Sequence, residues 1–322
     1  CSTGSNAPWS AARDAARPVA SGFCIPRSYA DAVTACLRAG HPVICEKALA
    51  ASRAEIRGIQ AEQQAAGSPV AVAYNYAGYP LLRELRHRIS AGALGCPRQI
   101  QLEMPQDAFV RRDASGRPVP PQTWRLWDGP VPNVYLDLGV HLHHMAYFLL
   151  GEHPEATVAM AATHGHFAVV DTVSALVRFP GGAQGSLWFT KAAAGQRNGL
   201  RVRVYGDEGG AEWLQTDPES LILSTAAGQR HIIDRGSDAP VASASRYQRF
   251  KAGHPAGFLE AFANLYADLH GWLSGDGREA PEIAGPAVAR PGLAFLEAMV
   301  ESSRTTAWTL VADTDEDRAT RR

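Results

Sequence analysis

His41-Pro-Val-Ile-Cys-Glu-Lys-Ala-Leu-Ala50 decides how this chain reads, because an apolar run ends abruptly in the pair Glu46-Lys47 and then turns apolar again. An ammonium and a carboxylate at the carboxyl end of a buried strand lie where open α/β sheets bind ligands. The same two residues could also cap the next helix or face water, and spacing alone leaves both readings open. Their neighbours tip the balance. Helical periodicity covers Tyr29 to Arg38 and ends at Gly40, a second helix covers Ser52 to Gln64, and Pro69-Val-Ala-Val-Ala-Tyr74 reads as the next strand. Strand and helix alternate, which calls for a parallel sheet with right-handed crossovers.

Outward from this core, Phe23-Cys-Ile-Pro26 reads as a short strand stopped by proline. Residues 1–22 hold almost no β-branched or aromatic content, and no strand is expected there. Pro80 to Ser90 repeats apolar positions at helical spacing, and Gly92 and Gly95 end that helix before a domain boundary at Cys96-Pro97. Beyond it the alternation has period two: Gln99–Met104, Thr157–Thr163, Thr172–Phe179, Gln184–Thr190, Leu200–Tyr205 and Ala211–Leu214. Turns such as Pro180-Gly-Gly182 and Gly206-Asp-Glu-Gly209 separate them. The fold class expected is α/β plus α+β. A partial parallel sheet in 23–96 precedes a larger domain, 97–312, with an open, mostly antiparallel sheet. Helices Asp137–Leu150 and Pro255–Leu273 should cover one face of that sheet, and the charged tail 313–322 should be disordered.

The chain has 322 residues, 46% of them hydrophobic, enough to bury a large core. Its 31 basic and 32 acidic residues nearly cancel, unlike the basic footprint of a nucleic-acid binder. Five cysteines, Cys1, Cys24, Cys36, Cys45 and Cys96, are an odd number with no C-x-x-C pair, which fits reduced thiols better than a disulfide framework or zinc site. No apolar run reaches the ~18 residues of a membrane span and the opening lacks a signal-peptide core, so a cytoplasmic protein is expected.

Asp137-Leu-Gly-Val-His141-Leu-His143-His144 carries the chemistry. Asp137, His141 and His144 fall at i, i+4 and i+7, on one helical face. Oxidising a carbinol requires the hydroxyl proton to leave along with the hydride, so a base titrating near neutrality is wanted, and imidazole suits it. Asp137 one turn earlier could orient the ring of His141, and Lys47 could polarise the oxygen. Two rivals stand beside this reading. His141, His143 and His144, with His164 and His166, could bind zinc or iron, although His143 points away from the other two and acidic ligands are scarce. Alternatively the histidines are hydrogen-bonded packing residues.

With these residues in view, the chain resembles the Gfo/Idh/MocA family of NAD(P)-dependent oxidoreductases from about Phe23 to Trp308. Cys45-Glu46-Lys47 is similar to the family's E-K-P motif, with its catalytic lysine beside the nicotinamide, and Asp137-x-x-x-His141 to its aspartate–histidine pair. Tyr74-Asn75-Tyr76, Asn198-Gly-Leu200 and the segment His254 to Asn264 agree in order. The resemblance implies hydride transfer between NAD or NADP and a secondary alcohol or ketone of a sugar or cyclitol. It gives catalytic roles to Lys47, Asp137 and His141. Cofactor contacts would come from Cys24, Pro26, Glu46, Lys47 and Asn75, and substrate contacts from Lys47, Asn75, His141, His144, Asn198 and His254. It also implies a homo-dimer or homo-tetramer joined through the C-terminal sheet. Asn198 could equally only shape a turn, and His254-Pro255 only start a helix.

The departures are as specific as the matches. A βαβ unit needs about 30 residues, and only 22 precede Phe23. No G-x-G-x-x-G occurs anywhere. The turn matching the family's Thr-Pro-Asn reads Ile25-Pro26-Arg27, the proline after the lysine is Ala48, and the helix's second aspartate is His144. The expectation is an N-terminally incomplete chain that binds NAD(P) poorly or not at all. The alternative is a non-catalytic sugar-binding or subunit-association protein built on the same scaffold.

Overall fold

The computed structural model describes residues 20–22, 29–275 and 282–312. Three parallel strands form the smaller sheet in the order β1-β2-β3: Ala20–Gly22, Val43–Glu46 and Val70–Ala73. Between them run α1 (Tyr29–Arg38) and α2 (Arg53–Ala66). α2 starts at a capping box: the Ser52 hydroxyl accepts from the Glu55 N–H, and the Glu55 carboxylate accepts from the Ser52 N–H. Gly67 ends it in the left-handed region at φ 60°. The register sets Glu46, the last residue of β2, opposite Ala73, the last of β3, so both strands finish at one edge.

β1 corrects the expectation that residues 1–22 hold no strand. Ala20↔Val43 through Gly22↔Cys45 is a parallel ladder, in which backbone pairing with β2 makes a strand of a segment with low β-propensity. The strand expected at Phe23–Pro26 lies outside the described residues, as do Cys24, Pro26 and the tail 313–322.

After β3 the chain makes a 3-10 turn, Asn75–Gly78, and enters α3 (Pro80–Ser90) with proline at its start. The larger sheet follows. In chain order its strands are β4 (Pro97–Pro105), β5 (Ala156–Ala162), β6 (Thr172–Arg178), β7 (Gln184–Thr190), β8 (Arg201–Gly206), β9 (Gly209–Leu214), β10 (Asp217–Thr225), β11 (Arg230–Ile233) and β12 (Thr309–Leu310). Their spatial order is β11-β10-β9-β8-β4-β7-β6-β5-β12, antiparallel throughout except for β4 against β7. That parallel pair matters for function, because it brings the carboxyl ends of β4 and β7 to one edge.

Side-chain alternation defines the sheet's two faces. Ile100, Leu102, Leu187, Phe189, Val202 and Val204 are buried on one, whereas Met160 and Leu176 stand 75% and 54% exposed on the other. The buried face packs against α4 (Val140–Leu150) and α6 (Pro286–Thr305). α6 went unseen in the sequence because Pro291 and Gly292 interrupt its pattern. It also touches β3 and α2, tying the two sheets together.

The helix expected at Pro255–Leu273 is α5 (Phe258–Ser274), and it packs differently from expectation. Its Leu265 and Leu269 cluster with Ala71 and Ala73 of β3, so it covers the smaller sheet. Small residues on β3 permit that approach, and Gly78 sets its limit. A Cβ there would lie 2.0 Å from the Ala261 carbonyl oxygen. Because both sides are backbone, neither can yield cheaply. Gly78→Ala is expected to lower stability by at least ~1–3 kcal/mol, the usual range for overpacking, read as a fall in thermal midpoint. An unchanged midpoint would mean that α5 docks loosely. Among the described residues, no helix is long and apolar enough to cross a membrane.

Candidate active site

A cleft of about 410 Å³ opens where β2, β4 and β7 end and the helix carrying Asp137 begins. Lys47 follows β2, Gln106 follows β4 and Lys191 follows β7. Asp137 lies in a π-helical turn, Tyr135–Gly139, that leads into α4, and His141 lies in the first turn of α4. All five line the cleft.

Asp137 is its electrostatic centre. The Lys47 ammonium donates to the Asp137 main-chain oxygen at 2.8 Å and to Oδ1 at 2.7 Å. Lys191 donates to Oδ2 at 2.6 Å, and the Arg125 guanidinium pairs with the same oxygen. Three basic side chains therefore share one carboxylate. The arrangement differs from the expected aspartate–histidine pair: both Asp137 oxygens are engaged by cations, and His141 Nδ1 is buried without a hydrogen-bond partner. A carboxylate binds cations more strongly than a neutral imidazole, which accounts for the exchange.

The same crowding sets the protonation states. Burial first, and Arg125 second, pull Lys47 down to about 7 despite the opposing charge of Glu46. Burial, then Arg125 and Lys47, bring Lys191 to about 6. Burial, followed by Lys47, His144 and Lys191, holds His141 well below the ordinary imidazole range. The groups poised near neutrality are thus Lys47 and Lys191, where the sequence pointed to His141. Tyr76 packs edge-on against the His141 ring at 4.8 Å and steadies it.

Of the residues singled out in the sequence, Lys47, Asp137, His141 and Asn198 meet in the cleft. Asn198 adopts φ 52° and accepts from Gln106 Nε2 at 2.6 Å, so it shapes a turn and lines the cavity at once. Glu46 ends β2 beside the cleft without lining it, its carboxyl raised by burial. Asn75 is buried at the end of β3 with Nδ2 unpartnered.

His144 and His254 are not brought in. His144 stacks on Tyr74 at 4.1 Å within the core, where burial and Arg86 lower it to about 3. His254 is exposed in the loop before α5, away from the cleft, and its carbonyl accepts from Arg235. The histidines considered as metal ligands diverge: His143 Nε2 lies 3.1 Å from His153 Nδ1. Among the described residues no three His, Cys, Asp or Glu are placed to hold an ion.

Lys191, Arg125, Gln106 and Tyr76 were missed. Lys191 had a legible signal, since it follows the apolar strand Gln184–Thr190 just as Lys47 follows Val43–Glu46. Arg125, in a short 3-10 turn, had none.

Comparison with known proteins agrees with this architecture. Residues 82–212 match the GFO/IDH/MocA C-terminal domain. The chain is 28% identical over 258 residues to the uncharacterized oxidoreductase YfiI of Bacillus subtilis, covering 77% of this chain and 64% of that protein. The chain thus spans less than two thirds of the length of the curated relatives it matches. The crystal structure of an oxidoreductase from Sinorhizobium meliloti is similar at 29% identity and a TM-score of 0.77, over 90% of this chain and 78% of that one. An inositol dehydrogenase homolog from Azotobacter vinelandii, crystallised with NADH and myo-inositol, shares the fold at 24% identity and a TM-score of 0.79, over 94% and 80%. Residues 82–212 thus match the C-terminal domain of the Gfo/Idh/MocA family, and in this chain that stretch joins a partial Rossmann-type parallel sheet to an open antiparallel one.

Proposed function

We propose that this chain is an oxidoreductase moving a hydride between NAD or NADP and a secondary alcohol or ketone of a sugar or cyclitol. Residues 23–96 serve the cofactor and 97–312 the substrate. One observation carries the reading: Lys47, Asp137 and His141 converge on one cleft at the carboxyl ends of strands. The NADH and myo-inositol bound by the Azotobacter homolog support it.

The nicotinamide end of such a cofactor fits the residues present. Asn75 Nδ2, buried and unpartnered, offers a donor at the end of β3, and Lys47 stands at the end of β2. A pyrophosphate cradle of the G-x-G-x-x-G kind has no counterpart in the sequence. When bound, the nicotinamide supplies the hydride carrier.

Lys47 and His141 change the roles expected for them. Lys47, near neutrality, takes the hydroxyl proton when neutral and returns it when charged. His141, kept neutral by burial, hydrogen-bonds the reacting oxygen and fixes its position. Asp137 holds Lys47 through two contacts, making it a positioning residue.

Two measurements test this proposal on the 322-residue chain. NADH fluorescence should not saturate in the micromolar range, because these 322 residues contain no G-x-G-x-x-G motif; saturation there would overturn that expectation. At millimolar NAD or NADP, oxidation of myo-inositol or a hexose should appear as reduced nicotinamide and fall sharply in His141→Gln. No turnover with any polyol would leave the non-catalytic sugar-binding reading instead.

A further inference from the structure

Three basic side chains crowd one carboxylate inside the cleft. Lys47, Arg125 and Lys191 all pair with Asp137, and among the described residues no other carboxylate lines the cavity. Arg111, at the mouth and 60% exposed along its side chain, already has Asp107 at 3.1 Å. The inner group thus sets three basic side chains against one anion, and Arg125 with a protonated Lys47 already outnumbers Asp137 when Lys191 is neutral. Lys191 is 3% exposed, so water offers it little compensation.

Buried like charges crowded in this way are costly unless a counter-charge arrives. Part of the cost is relieved by the lysines losing protons more easily, as their lowered values record. Next to these basic groups, the Gln106 amide accepts from Lys191 at 3.4 Å and donates to Asn198 at 2.6 Å, and the two amides offer donors and acceptors suited to hydroxyls. The cavity lining therefore joins basic groups to neutral amides.

We propose that the cleft selects polyols bearing an oxyanion, a carboxylate or a phosphate monoester, which Lys191 and Arg125 hold while Gln106 and Asn198 take the hydroxyls. This rests on the sugar or cyclitol reading above and narrows it to sugar acids or sugar phosphates. Lys47 then keeps Asp137 largely to itself, because the incoming anion answers the other two cations. Arg125, with a planar fork of donors, and Lys191, a point charge, together suit either oxyanion.

Direct binding to the 322-residue chain, followed by calorimetry without cofactor, tests this. The probes are glucuronate against glucose for the carboxylate, glucose 6-phosphate against glucose for the phosphate, and acetate and inorganic phosphate alone. The charged member of at least one pair should bind about tenfold tighter or more than glucose. The advantage should shrink with added salt and vanish in Lys191→Met. Should that variant not fold, Arg125→Gln, at a more exposed position, should reduce the same ratio.

Which pair shows the gain identifies the oxyanion. Equal binding of charged and neutral sugars would overturn the proposal while leaving the sugar reading intact. Binding of acetate or phosphate without any sugar would uphold the anion site and remove the sugar reading. No binding by any probe would overturn the anion site.

Discussion

Lys47→Met is expected to lower kcat about 10²- to 10⁴-fold, the range of a positioned acid–base group, with the thermal midpoint little changed. The wild-type pH profile should carry the lysine's signature. Alcohol oxidation needs Lys47 neutral, so its rate should rise through about pH 7. Carbonyl reduction needs it charged, and that rate should fall through the same value. Lys47→Arg should not rescue either direction, because a guanidinium keeps its proton throughout this range. Arg125→Gln removes a cation that depresses Lys47 and should shift the midpoint upward. These outcomes are read from kcat/KM against pH with the nicotinamide cofactor that supports turnover. Full activity in Lys47→Met would remove the lysine from the chemistry.

Asp137→Ala should give the largest loss of stability. It strips Lys47, Arg125 and Lys191 of their shared anion at a site where Asp137 itself is only 11% exposed. Breaking a buried pair by deleting one partner costs about 3–5 kcal/mol, because the remaining charge is uncompensated. A drop in the urea midpoint with an unchanged m-value would report it. Adding Lys191→Met to Asp137→Ala should recover part of the loss, since one orphaned cation is gone; an additive or larger loss would refute the shared-anion account.

The wild type should also gain stability with rising pH. Lys191 binds its proton more weakly folded, about 6, than unfolded, near its ordinary 10.5. Between those values the unfolded chain holds more protons, so stability rises with pH, by up to about 1.4 kcal/mol per unit for one group. The penalty is fully present below about pH 6. Lys191→Met should flatten the slope, leaving the smaller contribution of Lys47 above about pH 7.

Much of this architecture was legible in local pattern. The period-two segments became β4 to β9 to within about two residues, and the apolar run ending in Glu46-Lys47 became β2 with its lysine at the cleft. Elements without local signatures were not legible. β1 exists because β2 supplies a ladder partner, β12 because β5 does, and α6 despite its internal proline because both sheets pack on it. His254 looked equivalent to Asn198 in the sequence, yet only Asn198 lies beside a strand that starts at the cleft.

By themselves the residues determined the alternation of parallel and antiparallel texture, the lysine after a buried strand, and the histidine on the helix behind it. These follow from side-chain period and burial, properties of neighbours in sequence. Only the tertiary structure decided which charges share Asp137, because Lys47, Arg125 and Lys191 come from three distant segments whose Coulomb energies depend on separation in space. That convergence brought both lysines near neutrality and set three basic side chains around one carboxylate.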